Sequence, residues 1–334
     1  MRMKSSSVLV SVLLSIFTLA IFADYESRDS VKDFINELAV EDGFNREQLA
    51  EIFEQVEKKQ RIIDLMSRPA EKAKPWHEYR QIFVTSTRIA SGVEFWKENQ
   101  ATLDRARLEF GIPAEIIVAV IGVETNYGRN TGSFRVMDAL STLAFDYPPR
   151  SRFFRGELRE LLLLAREENK YPLDLTGSYA GAMGYGQFIP SSFRAYAIDF
   201  DGDGTRDIWR NRVDAIGSVA NYFSRHGWEG EGQIVVPVTV VDERVDQFAN
   251  QGLKPKRSIA ELQKAGMGPV ALPDEELGAL FRLKSRTGWE YWLGLHDFYV
   301  VTRYNHSHMY ALAVVQLAEG IRSRWGDVSK PGRL

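Results

Sequence analysis

Glu124 closes a nearly uncharged run, Ile116 to Val123, and is followed by Thr125-Asn126-Tyr127-Gly128. The run is apolar on all sides at helical spacing, the pattern of a helix buried in a core. A carboxyl group at the end of such a helix loses solvation. Its pKa then rises and it stays protonated near neutral pH, the property a general acid needs. The plainer reading is a helix-end Glu solvated by the turn beyond it.

A second stretch, Gly181-Ala182-Met183-Gly184-Tyr185-Gly186-Gln187-Phe188-Ile189-Pro190-Ser191-Ser192, is dense in glycine. Such density lets backbone approach a ligand closely, and it also suits tight turns. No Gly-Lys-Ser/Thr follows and no strand clearly precedes it, so it is not a phosphate loop. Gln187 can hold an amide or a sugar hydroxyl, and Phe188 offers either a ring face or a core anchor.

The third stretch runs from Asp199 to Arg210 and matches a twelve-residue calcium loop over most of its length. Asp199, Asp201 and Asp203 fall at positions one, three and five, Gly204 at six and Asp207 at nine. Thr205 would offer its backbone carbonyl. Position twelve is Arg210 where a bidentate Glu is usual, and Asp214 is the nearest substitute. Without a cation the three leading carboxylates repel one another, so calcium is favoured over a solvated acidic turn. The missing Glu points to a structural site of modest affinity. His306 and His308 flank Ser307 at a helix start, where capping is more ordinary than metal binding. Asp138 reads as a cap of the helix at Ala139-Leu140.

These stretches sit in a chain that reads as helices first and strands late. Apolar positions at helical spacing fill residues 29–67, with Gly43 as a break and Pro69 as a stop. A further helix is expected over Trp76–Lys97, and another over Leu103–Phe110 that stops at Gly111. Pro113 opens the helix leading to Glu124. Two helices split by Tyr147-Pro148-Pro149 cover Phe134–Glu168, and another begins near Ser191. Ile234–Val241, Leu280–Leu283 and Tyr299–Thr302 carry strand signatures, and Met309–Arg322 reads as the last helix. The fold class is mainly α (α+β), with a small β-rich insertion between about 229 and 303.

The chain has 334 residues, 44% hydrophobic and 26% charged, enough for two or three domains. Its net charge of -3 and the lack of any basic run argue against a nucleic-acid partner. Arg2 and Lys4 precede an apolar stretch, Val8 to Phe22, that ends near Ala23 before Asp24. This is the layout of a secretory signal over residues 1–23, and it is short for a membrane span. An uncleaved segment would be the only membrane contact. There is no cysteine, so disulfides and a lipid-modified N-terminal Cys are excluded.

In their order and spacing the three stretches, with Tyr147-Pro148-Pro149-Arg150 and Tyr304-Asn305, resemble the membrane-bound lytic murein transglycosylase B family. The resemblance runs from about residue 30 to 325. It implies a lysozyme-like core at 111–228 with a calcium loop and a helical domain at 24–110 joined by the helix at 305–325. The small β domain is then 229–303. It implies cleavage of the MurNAc-β-1,4-GlcNAc bond of peptidoglycan, with Glu124 as catalytic acid. Tyr79, Arg150, Ser178, Gln187, Phe188, Tyr304 and Asn305 match residues lining the family's glycan groove. Pro149 stands where some relatives have a second Arg, which removes one contact to a peptide or lactyl carboxylate. No organic cofactor is implied. The implied place is the Gram-negative periplasm, in a soluble form, with cell-wall synthases as possible partners.

The implied chemistry suits a single carboxylate. Most glycosidases pair two. A lytic transglycosylase needs no water as acceptor, because the sugar's own C6 hydroxyl closes a 1,6-anhydro ring. Two alternatives remain at this point: a hydrolytic muramidase with a second carboxylate, and a non-catalytic peptidoglycan-binding scaffold.

Overall fold

The computed structural model describes residues 25–67, 74–230 and 232–329, and the expected signal segment lies outside them. Contacts divide the chain at Lys58 into two compact units. In the first unit Val31, Phe34, Ile35 and Leu38 form the buried face of α1 (Asp29–Asp42), and Leu49 and Phe53 that of α2 (Arg46–Glu54). Phe34 meets Phe53 edge-on at 6.2 Å. Gly43 ends α1 in the left-handed region, and Asn45 starts α2 by accepting the Gln48 N–H at 2.8 Å.

The second unit opens with α3 (Gln60–Ser67), α4 (Trp76–Phe83) and α5 (Ser86–Glu98). The single helix expected over Trp76–Lys97 is therefore two. Val84 leaves helical geometry, and Thr85 caps α5 by accepting the Arg88 N–H at 3.1 Å. α6 (Gln100–Phe110) stops at left-handed Gly111, and α7 (Ala114–Thr125) follows Pro113. Ten of the twelve α7 residues are buried, which makes it the central helix, packed by α5, α6 and two later helices. Each Ile or Val buried there contributes about 1.5–3 kcal/mol, enough to offset the ordering of its backbone.

β1 (Phe134–Arg135) leads into α8 (Val136–Asp146), and a one-turn 3-10 segment at Pro148–Arg150 separates α8 from α9 (Ser151–Glu167). β1 pairs antiparallel with β2 (Thr176–Gly177), which enters the glycine-rich loop. α10 (Pro190–Tyr196) and α11 (Arg212–Arg225) bracket the acidic loop. Asp138 does not cap α8: it lies inside the first turn, buried, and accepts from the Arg135 guanidinium at 2.7 Å.

The late strands are β3 (Val235–Val238), β4 (Arg257–Ser258), β5 (Leu277–Lys284) and β6 (Trp289–Gly294), in the antiparallel order β3-β6-β5-β4. Val236, Leu293 and Leu280 stand in register across three of them. Leu280 and Leu293 pack with Val245 and Met267 against Ile259 and Leu262 of α12 (Ile259–Ala265). The strand expected at Tyr299–Thr302 is instead part of α13 (His296–Tyr304). Its β-branched run belongs to a helix because Phe298, Val300, Val301 and Thr302 are all buried, which an isolated strand could not achieve. α14 (His308–Ser329) closes the unit against α7 and α5, and Ser307 caps it through the Tyr310 N–H at 3.3 Å.

Candidate active site

α7 delivers Glu124 to a turn that leaves helical geometry abruptly. Asn126, Tyr127 and Gly128 all take positive φ, at 52°, 62° and 85°. Asn tolerates this, but for Tyr127 it costs about 1–2 kcal/mol. The cost is met by where the ring goes. The Tyr127 hydroxyl donates to Arg88 O at 2.8 Å, and its oxygen would lie 2.7 Å from a Cβ at Gly122 and 2.6 Å from one at Gly92. Only glycine at both positions lets the ring pass between α5 and α7. Arg88 also donates to Gly122 O at 2.6 Å, close to the end of α7.

The turn is locked to the glycine-rich loop. Thr125 Oγ1 accepts the Gly128 N–H at 2.9 Å and lies 3.0 Å from Tyr185 O. A Cβ at Gly128 would come within 2.1 Å of the Tyr185 ring. The two stretches singled out in the sequence therefore form one structure.

Glu124 itself is half-buried, and Tyr310 of α14 donates its hydroxyl to Glu124 Oε1 at 2.6 Å. Tyr304, at the end of α13, donates to Gly186 O at 2.6 Å. Burial, and then the charge of Glu124, hold both phenols far above their usual range, so each remains a donor at any working pH. Tyr79 is buried against Trp76 and Phe83 and close enough to Tyr310 to raise its hydroxyl further. Tyr310 thus stands on the carboxylate, with Tyr304 and Tyr79 close enough for their charges to act on Glu124 or on Tyr310. Tyr310 was missed in the sequence, where the one available signal was a phenol among the aliphatic residues of the last helix.

The remaining expected groove residues divide by role. Gln187 takes positive φ (51°), and its Nε2 lies within hydrogen-bond distance of Thr131 O (3.1 Å) and Gly184 O (3.0 Å). Its amide nitrogen braces the loop. Phe188 is 3% exposed and packs on Tyr222 and Tyr304, so the core-anchor reading holds over the ring-platform one. Ser178 Oγ accepts the N–H groups of Ala180 and Ala182, closing the start of the loop. Asn305 is exposed beside Tyr304. Arg150 is exposed at the 3-10 turn, its guanidinium over the rings of Phe153 (4.4 Å) and Phe154 (5.0 Å).

In the acidic loop, Asp199, Asp201 and Asp203 bring one oxygen each within 4.8 Å of the others. Opposite ligands of a calcium ion, at about 2.4 Å each, stand about that far apart, and hard carboxylate oxygens suit it. The residues present fit the ion. Backbone N–H groups of Gly204, Gly202 and Asp203 point at Asp199 and hold its carboxyl below the usual range. Thr205 donates its N–H to Asp203, and Asp207 Oδ1 accepts the N–H groups of Trp209 and Arg210. Asp214 does not join the cluster. It is fully buried at the start of α11, its oxygens taken by the N–H groups of Phe200 (2.7 Å) and Asp207 (2.8 Å). Burial pushes its carboxyl up against those two bonds, so Asp214 ties the two ends of the loop together. His306 and His308 do not pair as ligands: His306 faces Arg303, and His308 stacks on Phe281.

A mainly helical core that holds a carboxyl group under a phenol at the end of its central helix has the means to cleave a glycosidic bond by general acid catalysis. The chain belongs to the transglycosylase SLT domain family, whose model matches residues 26–319. It is 44% identical over 308 residues to the membrane-bound lytic murein transglycosylase B of Escherichia coli (strain K12), covering 89% of this chain and 84% of that protein. The catenated lytic transglycosylase SltB1 of Pseudomonas aeruginosa superposes with a TM-score of 0.87 at 54% identity, covering 91% of this chain and 100% of that one. The Escherichia coli lytic transglycosylase Slt35 in complex with calcium does so with a TM-score of 0.83 at 43% identity, covering 91% and 96%. The chain is an enzyme that cleaves peptidoglycan by transglycosylation. No helix among the described residues is long and apolar enough to cross a membrane.

Proposed function

We propose that Glu124 alone carries the chemistry, first as acid and then as base, on the bond between MurNAc and GlcNAc. The observation that supports this reading is the Tyr310 hydroxyl on Glu124 Oε1 at 2.6 Å, a neutral donor set on a half-buried carboxyl at the end of the central helix. Glu124 gives its proton to the glycosidic oxygen as the C1–O bond breaks, and positive charge develops on the MurNAc ring. The resulting carboxylate then takes the proton of the C6 hydroxyl while O6 bonds to C1. The ring closes as 1,6-anhydroMurNAc, Glu124 is protonated again, and no water is consumed. Tyr79, Tyr304 and Asn305 line the glycan groove near the reacting bond, Arg150 contributes to its far part, and the Ser178–Phe188 loop forms its wall.

The acidic loop holds a structural calcium ion through Asp199, Asp201 and Asp203, with Thr205 and Asp207 completing the shell. The ion would neutralise the three carboxylates and fix the loop between α10 and α11. Residues 1–23 export the chain to the periplasm, where its substrate lies. The glycan strand is the partner, and wall-synthesis proteins are further candidates.

Glu124→Gln tests the reading on intact sacculi, with products identified by mass. Anhydro-end release should fall by about 10²–10⁴-fold while folding is kept. Clearance at the wild-type rate would remove Glu124 from the mechanism. Reducing MurNAc ends from the wild type would favour hydrolysis by a second carboxylate.

A further inference from the structure

One face of the β5–β6 hairpin changes character along the strands. Leu280 and Leu293 lie in the core of the β domain. Beyond them on the same face Arg282 stands opposite Tyr291, and Lys284 opposite Trp289. Tyr291 and Arg282 are half-buried and Trp289 is 50% exposed, so the face leaves the core at this end. Tyr291 donates its hydroxyl to Asp246 at 2.7 Å, and Arg282 donates to the same carboxylate. The Arg282 and Asp246 side chains are still 31% and 32% exposed, so N–H groups and carboxylate lone pairs remain for a ligand. The Asn250 side chain bonds both the N–H and the carbonyl of Arg282, which holds the strand beneath this network. Arg282 and Lys284 also lie near the Trp289 ring, at 4.7 Å and 5.1 Å from its centre.

Beside this network the sheet opens. β3 pairs with β6 only as far as Val238 opposite Tyr291, because the chain then turns away: Thr239 O accepts the Gly268 N–H at 2.8 Å, and Val240 bridges Met267. The parting strands leave an open trough of about 490 Å³, lined by Val238, Thr239, Val240, Trp289, Glu290 and Tyr291 among others. An indole half open to water, next to a fixed carboxylate, guanidinium and phenol, matches the chemistry of a pyranose. Such a ring sets its C–H face on an aromatic surface and its hydroxyls on donors and acceptors alike. A bilayer matches it less well. Burial there would strip water from the Arg282–Asp246 pair, and Asp246 already neutralises Arg282 toward anionic headgroups.

We propose that this face of the β domain is a second, non-catalytic contact for glycan strands, with a sugar ring on Trp289 and its hydroxyls on Asp246 and Arg282. The proposal rests on peptidoglycan as the substrate. A sacculus presents many strands, so the second contact needs no particular distance from Glu124 and need not hold the strand being cut. It keeps the enzyme on the polymer between cleavages by raising its effective concentration there.

The test compares Glu124→Gln with Glu124→Gln/Trp289→Ala in sedimentation with sacculi, before and after an amidase has removed the peptides, and with vesicles of phosphatidylglycerol. Trp289→Ala should raise the apparent Kd for both kinds of sacculus about tenfold, the size of one lost ring contact, and Trp289→Tyr should keep most of the affinity. In the otherwise wild-type chain Trp289→Ala should slow sacculus solubilisation by the same factor. Its kcat/KM on a soluble tetrasaccharide fragment should stay unchanged, which a damaged fold would not allow. Equal sedimentation of the two proteins with sacculi would overturn the proposal. So would a loss seen only while peptides are present, an equal loss on fragment and sacculus, or a loss confined to the vesicles. Sedimentation involves no cleavage, so fragments released by Glu124→Gln would reveal a failed Glu124 assignment separately.

Discussion

Removing the Tyr310 hydroxyl is the sharpest perturbation the site allows. Tyr310→Phe keeps the ring, which is 3% exposed, and deletes one donor, the one 2.6 Å from Glu124 Oε1. A hydrogen bond to a charged group contributes about 1.5–3 kcal/mol, which converts to roughly 10- to 100-fold in rate if it is fully felt in the transition state. Global stability should move much less, by about 1 kcal/mol, or about 2–4 °C in Tm. The bond favours the carboxylate, so its loss favours the acid form. The alkaline limb of the pH–rate profile should therefore shift to higher pH while the plateau falls. The assay is release of anhydro-ended fragments from sacculi across the neutral range, followed by mass. A folded Tyr310→Phe protein with a wild-type plateau and an unmoved limb would refute the idea that this phenol positions Glu124.

Other expectations follow from the same geometry. Chelation should lower Tm and calcium should restore it, by about 2.7 kcal/mol of stability at a hundredfold excess over Kd. Asp201→Asn should weaken that response. If instead Asp201→Asn stabilises the protein in chelator, and calcium does nothing to the wild type, the loop holds no ion. Burial pushes the imidazoles of His226 and His308 below their usual value. A base depressed in the folded state contributes stability above its unfolded pKa, about 6.5, and that stability is lost as pH falls through the folded value. Wild type should lose stability on mild acidification, and His308→Gln should flatten the slope in denaturant titrations. Gly128→Ala places a Cβ 2.1 Å from the Tyr185 ring at φ 85°, so its urea midpoint should drop by the equivalent of about 2 kcal/mol or more. An unchanged midpoint would mean that the turn and the loop are not interlocked.

Much of the scaffold was legible because single positions announced it. The all-round apolar run of α7 has no stable home except a core, and Gly43, Gly111 and Pro113 mark helix ends by their own stereochemistry. The break at Val84-Thr85 was not legible, since apolar residues continue on both sides and the cap is one hydroxyl. Tyr299–Thr302 failed for another reason. A short β-branched run has the same pattern in a buried helix as in a strand, and only tertiary packing decides between them. In sequence Asp138 reads as a helix cap and Asp214 as a calcium ligand, yet both are buried among donors that local reading cannot supply. Tyr310 lies 186 residues from Glu124. No local pattern could have paired them.

The buried carboxylates also bear on why one residue should suffice. Among the described residues Asp138, Glu157, Asp214 and Asp297 are buried. A buried charge persists only when donors surround it, and here each has found a structural set. Arg135 holds Asp138, and the N–H and hydroxyl of Ser191 hold Glu157. Two loop amides hold Asp214, and the amides of Glu229 and Gly230 hold Asp297. Recruiting any of them as a nucleophile would release the helix start or loop that it braces. Glu124 is different in kind. It is half-buried and accepts from a neutral phenol, and a phenol can follow the carboxyl through both protonation states. A residue that must be acid in one step and base in the next needs such a partner.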